Sequence, residues 1–247
     1  MAVTDHDTIA GLDAAEAAAR RAGLAFVRGI EITAVHGGRD VHVLGYFVDT
    51  PDSAFLRFLE EQRFDRRRRV AEILDRLREV GLPIDSGRLI DPAEASRGRA
   101  IGRPTVARAL VEAGHVASVS EAFDRFLGHG MPAFVPRQGA SPEEVIGHLV
   151  RIGAVAAMAH PGTTGQDALL PALARAGMAG LEVFHPDHSH ADEERYGQAA
   201  RDLSLLPTGG SDFHGPGSRR DSALGRVGLP RPAYEALAAH AAHARRP

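Results

Sequence analysis

The sequence contains no cysteine. Disulfide bridges and thiolate metal sites are therefore excluded, and a bound metal would have to be held by histidine, aspartate and glutamate. No signal-peptide pattern is visible, so the cytoplasm is the expected location. No apolar run approaches the length of a membrane span, and no membrane partner is expected. A Gly-x-Ser-x-Gly elbow and a P-loop pattern are both absent, which counts against serine hydrolases and P-loop nucleotide hydrolases. No internal repeat or low-complexity linker divides the chain. The net charge is only −3, so the surface as a whole is not a nucleic-acid glove, and stable binding of duplex nucleic acid is not expected.

The chain has 247 residues and is 44% hydrophobic. That suffices for one large α/β domain, or a domain with an insertion, around a sizeable core. Thirteen histidines without cysteine are the compositional oddity, and their placement matters more than their number.

Val3 and Thr4 read as the end of a strand. Asp7 or Thr8 is the expected cap of an Ala-rich helix that closes at Gly23. Leu24–Val27 reads as a short strand leading to Gly29-Ile30-Glu31-Ile32-Thr33. A hairpin-like turn, His36–Asp40, feeds a further strand over Val41–Val48. After Pro51 the texture becomes helical. Val70, Ile73, Leu74 and Leu77 recur at helical spacing, and the basic run Arg66–Arg69 reads as a solvated helix face. Gly102-Arg103-Pro104-Thr105 opens another helix, a start that suits an anion, and Ser120–Leu127 forms a shorter one. Residues 51–135 therefore read as a helical insertion between two parts of a main body, 1–50 and 136–247.

Ser141-Pro142-Glu143-Glu144 is a capping box with proline in the first helical turn. Strands follow over Ala154–Ala159, ending in His160-Pro161-Gly162, and over Ala179–Phe184, ending in His185-Pro186-Asp187-His188. The apolar run Leu203–Leu206 reads as a strand before Gly209-Gly210-Ser211-Asp212-Phe213-His214-Gly215. In extended chain Asp212 and His214 would share a side and could face one ion. Strand–helix alternation predicts parallel strands with outer helices. In barrels of this type chemistry sits at the C-terminal strand ends. His6, Glu31, His160, His185, Asp212 and His214 fall there. His42 is the exception, because it lies early in its strand.

Imidazoles and carboxylates without thiolates suit Zn²⁺, Mn²⁺ or Fe. A carboxylate such as Glu31 can bridge two cations. Paired cations acidify a bound water and neutralise a phosphoryl group, which removes the need for a protein nucleophile. Each residue also has a plainer reading. His42 could be a core histidine, His160 a turn cap, and His185 and His188 surface loop residues. Asp5 and Asp7 could be helix caps, and Arg103 an ordinary surface cation. The plainer reading must be invoked separately at every strand end, so it is rejected for the set.

Thr4-Asp5-His6-Asp7, Gly29-Ile30-Glu31, Val41-His42-Val43-Leu44-Gly45, Ala159-His160-Pro161 and Gly210-Ser211-Asp212-Phe213-His214 resemble the signature motifs of the PHP (polymerase and histidinol phosphatase) superfamily. Gly102-Arg103-Pro104 and the helical stretch make the chain most similar to its branch of small bacterial phosphoesterases. The resemblance implies an α/β fold, a distorted seven-stranded β/α barrel with the helical insertion, and a centre of two or three divalent ions. It implies Glu31 as the bridging carboxylate, with His42 and His160 on one metal, His6 and His214 on another, and Asp212 at a third position. Glu31, His160 and Asp212 are the implied catalytic residues, and Arg103, Arg137 and His188 the implied contacts to substrate phosphate. Mn²⁺ is the first expectation, with Zn²⁺ or Fe²⁺ as alternatives.

The implied activity is hydrolysis of phosphate esters of nucleotides or short oligonucleotides through a metal-bound hydroxide, the substrate being a small nucleotide or short RNA. Two departures stand out. The family's Asp-Leu-His-x-His strand and Ser-Asp-Gly are not in this sequence, and Thr105 stands where relatives commonly carry histidine. From these, a missing first strand with an exposed neighbouring edge and weak or absent activity of this form are expected, whether through a start assigned too late or a true truncation. The alternatives are a non-catalytic remnant that binds a nucleotide or protein, and a metal-dependent amide or ring hydrolase.

Overall fold

A computed structural model describes residues 1–85, 87, 89, 101–215 and 220–244. Residues 86, 88 and 90–100 of the expected insertion lie outside the described residues. Six strands form one sheet in sequence order: β1 (Ala2–Val3), β2 (Val27–His36), β3 (Arg39–Tyr46), β4 (Val155–Met158), β5 (Gly180–Phe184) and β6 (Leu206–Gly209). β1 runs parallel to β2, and β4, β5 and β6 run parallel to one another. The curled sheet and its helices form a distorted β/α barrel.

The purely parallel expectation needs correction, because β3 is antiparallel to both β2 and β4. The short turn at Gly37-Gly38, both at positive φ, returns the chain directly and leaves no length for a parallel crossover. This reversal also removes the anomaly of His42. Early residues of an antiparallel strand lie at the same sheet end as late residues of its parallel neighbours. His42 pairs with Thr33, and Ala159 donates its N–H to the His42 carbonyl at 3.0 Å.

Side chains alternate across the sheet. Ile30, Ile32, Val41, Val43, Ala156, Met158, Leu181 and Val183 share a core with Ile9, in the loop before the first helix, and with the outer helices. Leu44, Tyr46, Val155 and Ala157 face the other way and meet Leu237 and Ala241 of the last helix, Arg231–Ala244. Glu31, His42 and Glu182 belong to this second face by their parity. Apolar side chains fill its lower part, and ionisable groups occupy the end where β4, β5 and β6 finish.

Helix α1 (Leu12–Arg21) starts from Gly11, with no side-chain cap. The expected cap Asp7 is instead buried and turned inward at φ 53°. The strand expected at Leu203–Leu206 begins at Leu206. Leu203 ends the preceding helix, and Ser204 turns at φ 56°. Pro207 is tolerated in β6 because that strand lies at the sheet edge. Helix α2 (Ser53–Glu79) is capped by Asp52, whose side chain accepts from the Phe55 N–H. Its first half packs Phe55, Phe58 and Leu59 into the sheet's core. Its second half joins Val70, Ile73, Leu74 and Leu77 to Val106, Leu110, Leu127 and Val135 in a separate apolar cluster.

Arg66–Arg69 is not a uniformly solvated face. Residues three apart share a helix side, so Arg66 and Arg69 both point inward. Arg66 reaches Asp7 and Thr33, and buried Arg69 donates to the Val135 carbonyl.

Candidate metal centre

The centre begins with strand register. His6 forms a parallel bridge opposite Glu31. The Glu31 N–H donates to the Asp5 carbonyl, and the Asp7 N–H to the Glu31 carbonyl. The two side chains therefore emerge on one side. Nδ1 of His42 lies 2.6 Å from Glu31 Oε1, and Nε2 of His160 lies 3.3 Å from the same oxygen. Nδ1 of His6 is 3.9 Å from Oε2. His42 and His160 approach each other at 3.2 Å. One buried carboxylate is thus surrounded by three imidazoles from three separate stretches of chain.

The second part is looser and comes from β5 and β6. His185, only 2% exposed, places Nε2 3.4 Å from Asp212 Oδ2. Its Nδ1 accepts the Asp187 N–H at 3.1 Å, which leaves the ring proton on Nε2, directed at the carboxylate. Asp212 and His214 do not share an extended strand, since Asp212 sits at φ 45°. His214 folds back instead, Nδ1 donating to the Asp212 carbonyl at 2.8 Å. It still approaches the first group, its ring 5.7 Å from that of His6.

Asp7, His160 and Asp212 all adopt positive φ. That backbone costs an L-residue about 1–2 kcal/mol, and such strain clusters at functional sites. His160 is held there by its neighbours. Its N–H donates to Glu182 Oε2 at 2.7 Å, and its Nδ1 lies 2.9 Å from Thr163 Oγ1.

The ionisation states follow from burial and neighbours. Burial alone would raise Glu31, but His6, His42 and His160 outweigh it and hold its pKa well below the usual carboxylate range. Burial pushes His6 down to about 4, against the pull of Glu31. Burial also lowers His160, but its hydrogen bond to Glu31 reverses the shift and raises it. Glu182 is pushed up to about 8 by burial. Asp212 is lowered despite its burial, chiefly by the His185 hydrogen bond.

Two of the sequence-predicted phosphate contacts, Arg137 and Arg103, lie beside Asp7 and Asp40. Arg137, 9% exposed, approaches Asp7 at 3.5 Å and Asp40 at 3.8 Å. Arg103 approaches Asp40 at 3.8 Å, between the rings of Phe123 and Phe134. Asp7 also takes Arg66 and the Thr33 N–H on its side chain, and Arg63 on its carbonyl. Among the described residues, five guanidinium groups, those of Arg63, Arg66, Arg69, Arg103 and Arg137, gather around Asp7 and Asp40. Burial pushes Arg137 down to about 10, and adjacent Arg66 adds to the shift.

His188 stands apart from this group. Its Nδ1 donates to the Val183 carbonyl at 2.8 Å, and its Nε2 accepts the Gly162 N–H at 3.2 Å. Both ring nitrogens are engaged, so in this arrangement neither faces a phosphate. His188 instead ties β5 to the loop that carries His160. A Cβ on Gly162 would lie 2.8 Å from the His188 ring, so this close approach requires glycine.

No family model matches the chain. It is 34% identical over 225 residues to a 3′,5′-nucleoside bisphosphate phosphatase of Chromobacterium violaceum, covering 88% of this chain and 77% of that protein. It is 33% identical over 221 residues to a 5′-3′ exoribonuclease of Haemophilus influenzae, covering 87% and 79%. Its structure resembles that of a candidate metal-dependent phosphoesterase from Bifidobacterium adolescentis, with a TM-score of 0.85, 31% identity, and coverage of 97% of this chain and 85% of that one. The chain belongs to the PHP superfamily. Within it, the chain falls in the branch of bacterial phosphoesterases.

A PHP centre carries divalent metal ions, and the residues here suit them. The ligand atoms of His6, Glu31 and His42 lie within 4.8 Å of one another. Nδ1 of His6 is buried and has no hydrogen-bond partner among the described residues. An orphaned imidazole lone pair beside an anionic carboxylate is what a divalent cation requires.

Sequence reasoning left Glu182, Asp7 and Arg66 out of the site, and His185 out of its ligand set. Glu182 was detectable as the one acidic side chain inside the apolar strand Leu181-Glu182-Val183. Nothing local marked Arg66, whose partners lie 59 and 33 positions earlier.

Proposed function

We propose that this protein is a divalent-metal-dependent phosphoesterase acting on nucleotides or short oligonucleotides. The observation that carries the proposal is Glu31, an anionic carboxylate buried among His6, His42 and His160 at one end of the sheet. In this reading His6, Glu31, His42, His160, Asp212 and His214 are the metal ligands, with Mn²⁺ the first candidate. Bound cations would supply an acidified water and neutralise charge on the phosphoryl group.

The chain's own residues do the rest. Glu31 remains ionised and His6 neutral, so both present lone pairs. Glu182 and Thr163 fix the orientation of His160. The guanidinium groups around Asp7 and Asp40 place surplus positive charge beside the centre, which favours a phosphorylated substrate over a neutral amide. Arg103 and Arg137 are the proposed phosphate contacts, whereas the hydrogen bonds of His188 favour a role in holding the His160 loop. The relatives' activities on a nucleoside bisphosphate and on RNA support the nucleotide substrate class, and weigh against a non-catalytic remnant.

The division into a barrel of residues 1–50 and 136–247 and an insertion of residues 51–135 belongs to the same proposal. It is supported by the separate apolar cluster running from Val70 to Val135. The test is phosphate release from a 3′,5′-bisphosphonucleoside by metal-stripped and Mn²⁺-supplied protein. Release that requires the metal and falls roughly 100-fold or more in Glu31→Gln is expected. Release that ignores both changes refutes the proposal.

A further inference from the structure

Arg220 lies just before the short turn Asp221–Ala223 and has no part in the reading above. Its NH1 donates to Asp212 Oδ2 and its NH2 to Asp187 Oδ2, the latter at 2.5 Å. Its Nε is buried and lacks a hydrogen-bond partner among the described residues. The guanidinium is thus drawn in by two carboxylates. The oxygen of Asp212 that it occupies is also the one His185 addresses. A carboxylate oxygen with two donors has little capacity left for a cation, and the outer one of these donors is itself a cation.

We propose that Arg220 is an internal counter-cation, which holds the place at Asp212 that a divalent ion takes and gives way when the ion binds. This rests on the assignment of Asp212 as a metal ligand. His185 keeps its hydrogen bond in both states, because its tautomer is fixed by the Asp187 amide. Arg220 swings away, since its side chain is 21% exposed and opens toward solvent. The exchange would protect a carboxylate pair from mutual repulsion before loading, and would lower the affinity for the ion.

The test uses the full chain stripped with EDTA and titrated with Mn²⁺ by calorimetry, with thermal midpoints recorded with and without Mn²⁺. Arg220→Gln is expected to bind the Asp212-dependent ion about tenfold more tightly. Its stripped form should melt lower than wild type, so that Mn²⁺ raises its midpoint further. Arg220→Lys restores a cation and should return affinity toward wild type. Unchanged or weaker Mn²⁺ binding in Arg220→Gln overturns the proposal, because Arg220 would then be orienting Asp212 for the ion. Should Arg220→Gln fail to fold, Asp187→Asn removes the second anchor of Arg220. Tighter binding in that variant supports the exchange, and unchanged binding overturns it. Asp212→Asn separates the two levels. If it binds Mn²⁺ as wild type does, the ligand assignment falls and the exchange falls with it. If it loses an ion while Arg220→Gln changes nothing, only the exchange falls.

Discussion

The two halves of the centre are built by different means. Around Glu31, strand register does the work. His6 and Glu31 are parallel partners, His42 reaches the same end through an antiparallel strand, and His160 follows β4 directly. Around Asp212 the side chains come from loops. Asp212 lies beyond the end of β6, His214 has 48% of its side chain exposed, and Arg220 supplies the balancing charge. A group set by backbone pairing is in place before any ion arrives. A group on loops needs a counter-charge of its own until then.

This contrast can be broken at several points. The largest effect is expected from Asp7→Ala. Asp7 is fully buried and joins β2, α2 and Arg137. Its removal leaves Arg66 without its carboxylate and Arg137 with Asp40 alone, and breaking such a buried pair costs about 3–5 kcal/mol. Urea denaturation should show this loss, and a change below about 1 kcal/mol would mean the pairs are solvent-screened. Next comes Glu31→Gln, which should empty the register-built half while leaving Asp212 and Arg220 paired. Elemental analysis should show at least one ion fewer per chain.

A smaller effect is expected from His185→Ala on the loop-built half. Losing the hydrogen bond that orients Asp212 should weaken Mn²⁺ affinity about 10–100-fold, with His185→Gln recovering part of it. A thermal defect with unaltered affinity would make His185 a packing residue only. The smallest effect belongs to Ser141→Ala, at the start of the helix Pro142–Arg151. Ser141 accepts the Glu144 N–H in an intact capping box, and its loss should cost about 1 kcal/mol with metal affinity unchanged.

Much of the register-built half was legible in the sequence. Glu31 and His160 lie in or just after apolar runs flanked by glycine or proline, and those runs located the strands, although Glu31 falls in the middle of β2 rather than at its end. His42 looked misplaced only because alternation reveals a strand but not its direction. The loop-built half was legible in composition but not in geometry. Asp212-Phe213-His214 marked the place, yet the left-handed backbone of Asp212 is imposed by tertiary contacts. Asp7 was hidden for a related reason. An acidic residue before an Ala-rich helix reads as a cap, and only the distant residues Arg66 and Arg137 turn it into a buried hub. The helical run Arg66–Arg69 shows the same limit. Periodicity places Arg66 and Arg69 on one face, but burial of that face depends on what α2 packs against.

The account depends on a cation settling at the carboxylate of Glu31. Anomalous diffraction at the manganese edge, on crystals of the full chain grown with Mn²⁺, tests this most directly. A peak bonded to Glu31, His6 and His42 is predicted. Manganese located only elsewhere, with Glu31 still paired to His42 and Nδ1 of His6 still without a partner, would contradict it.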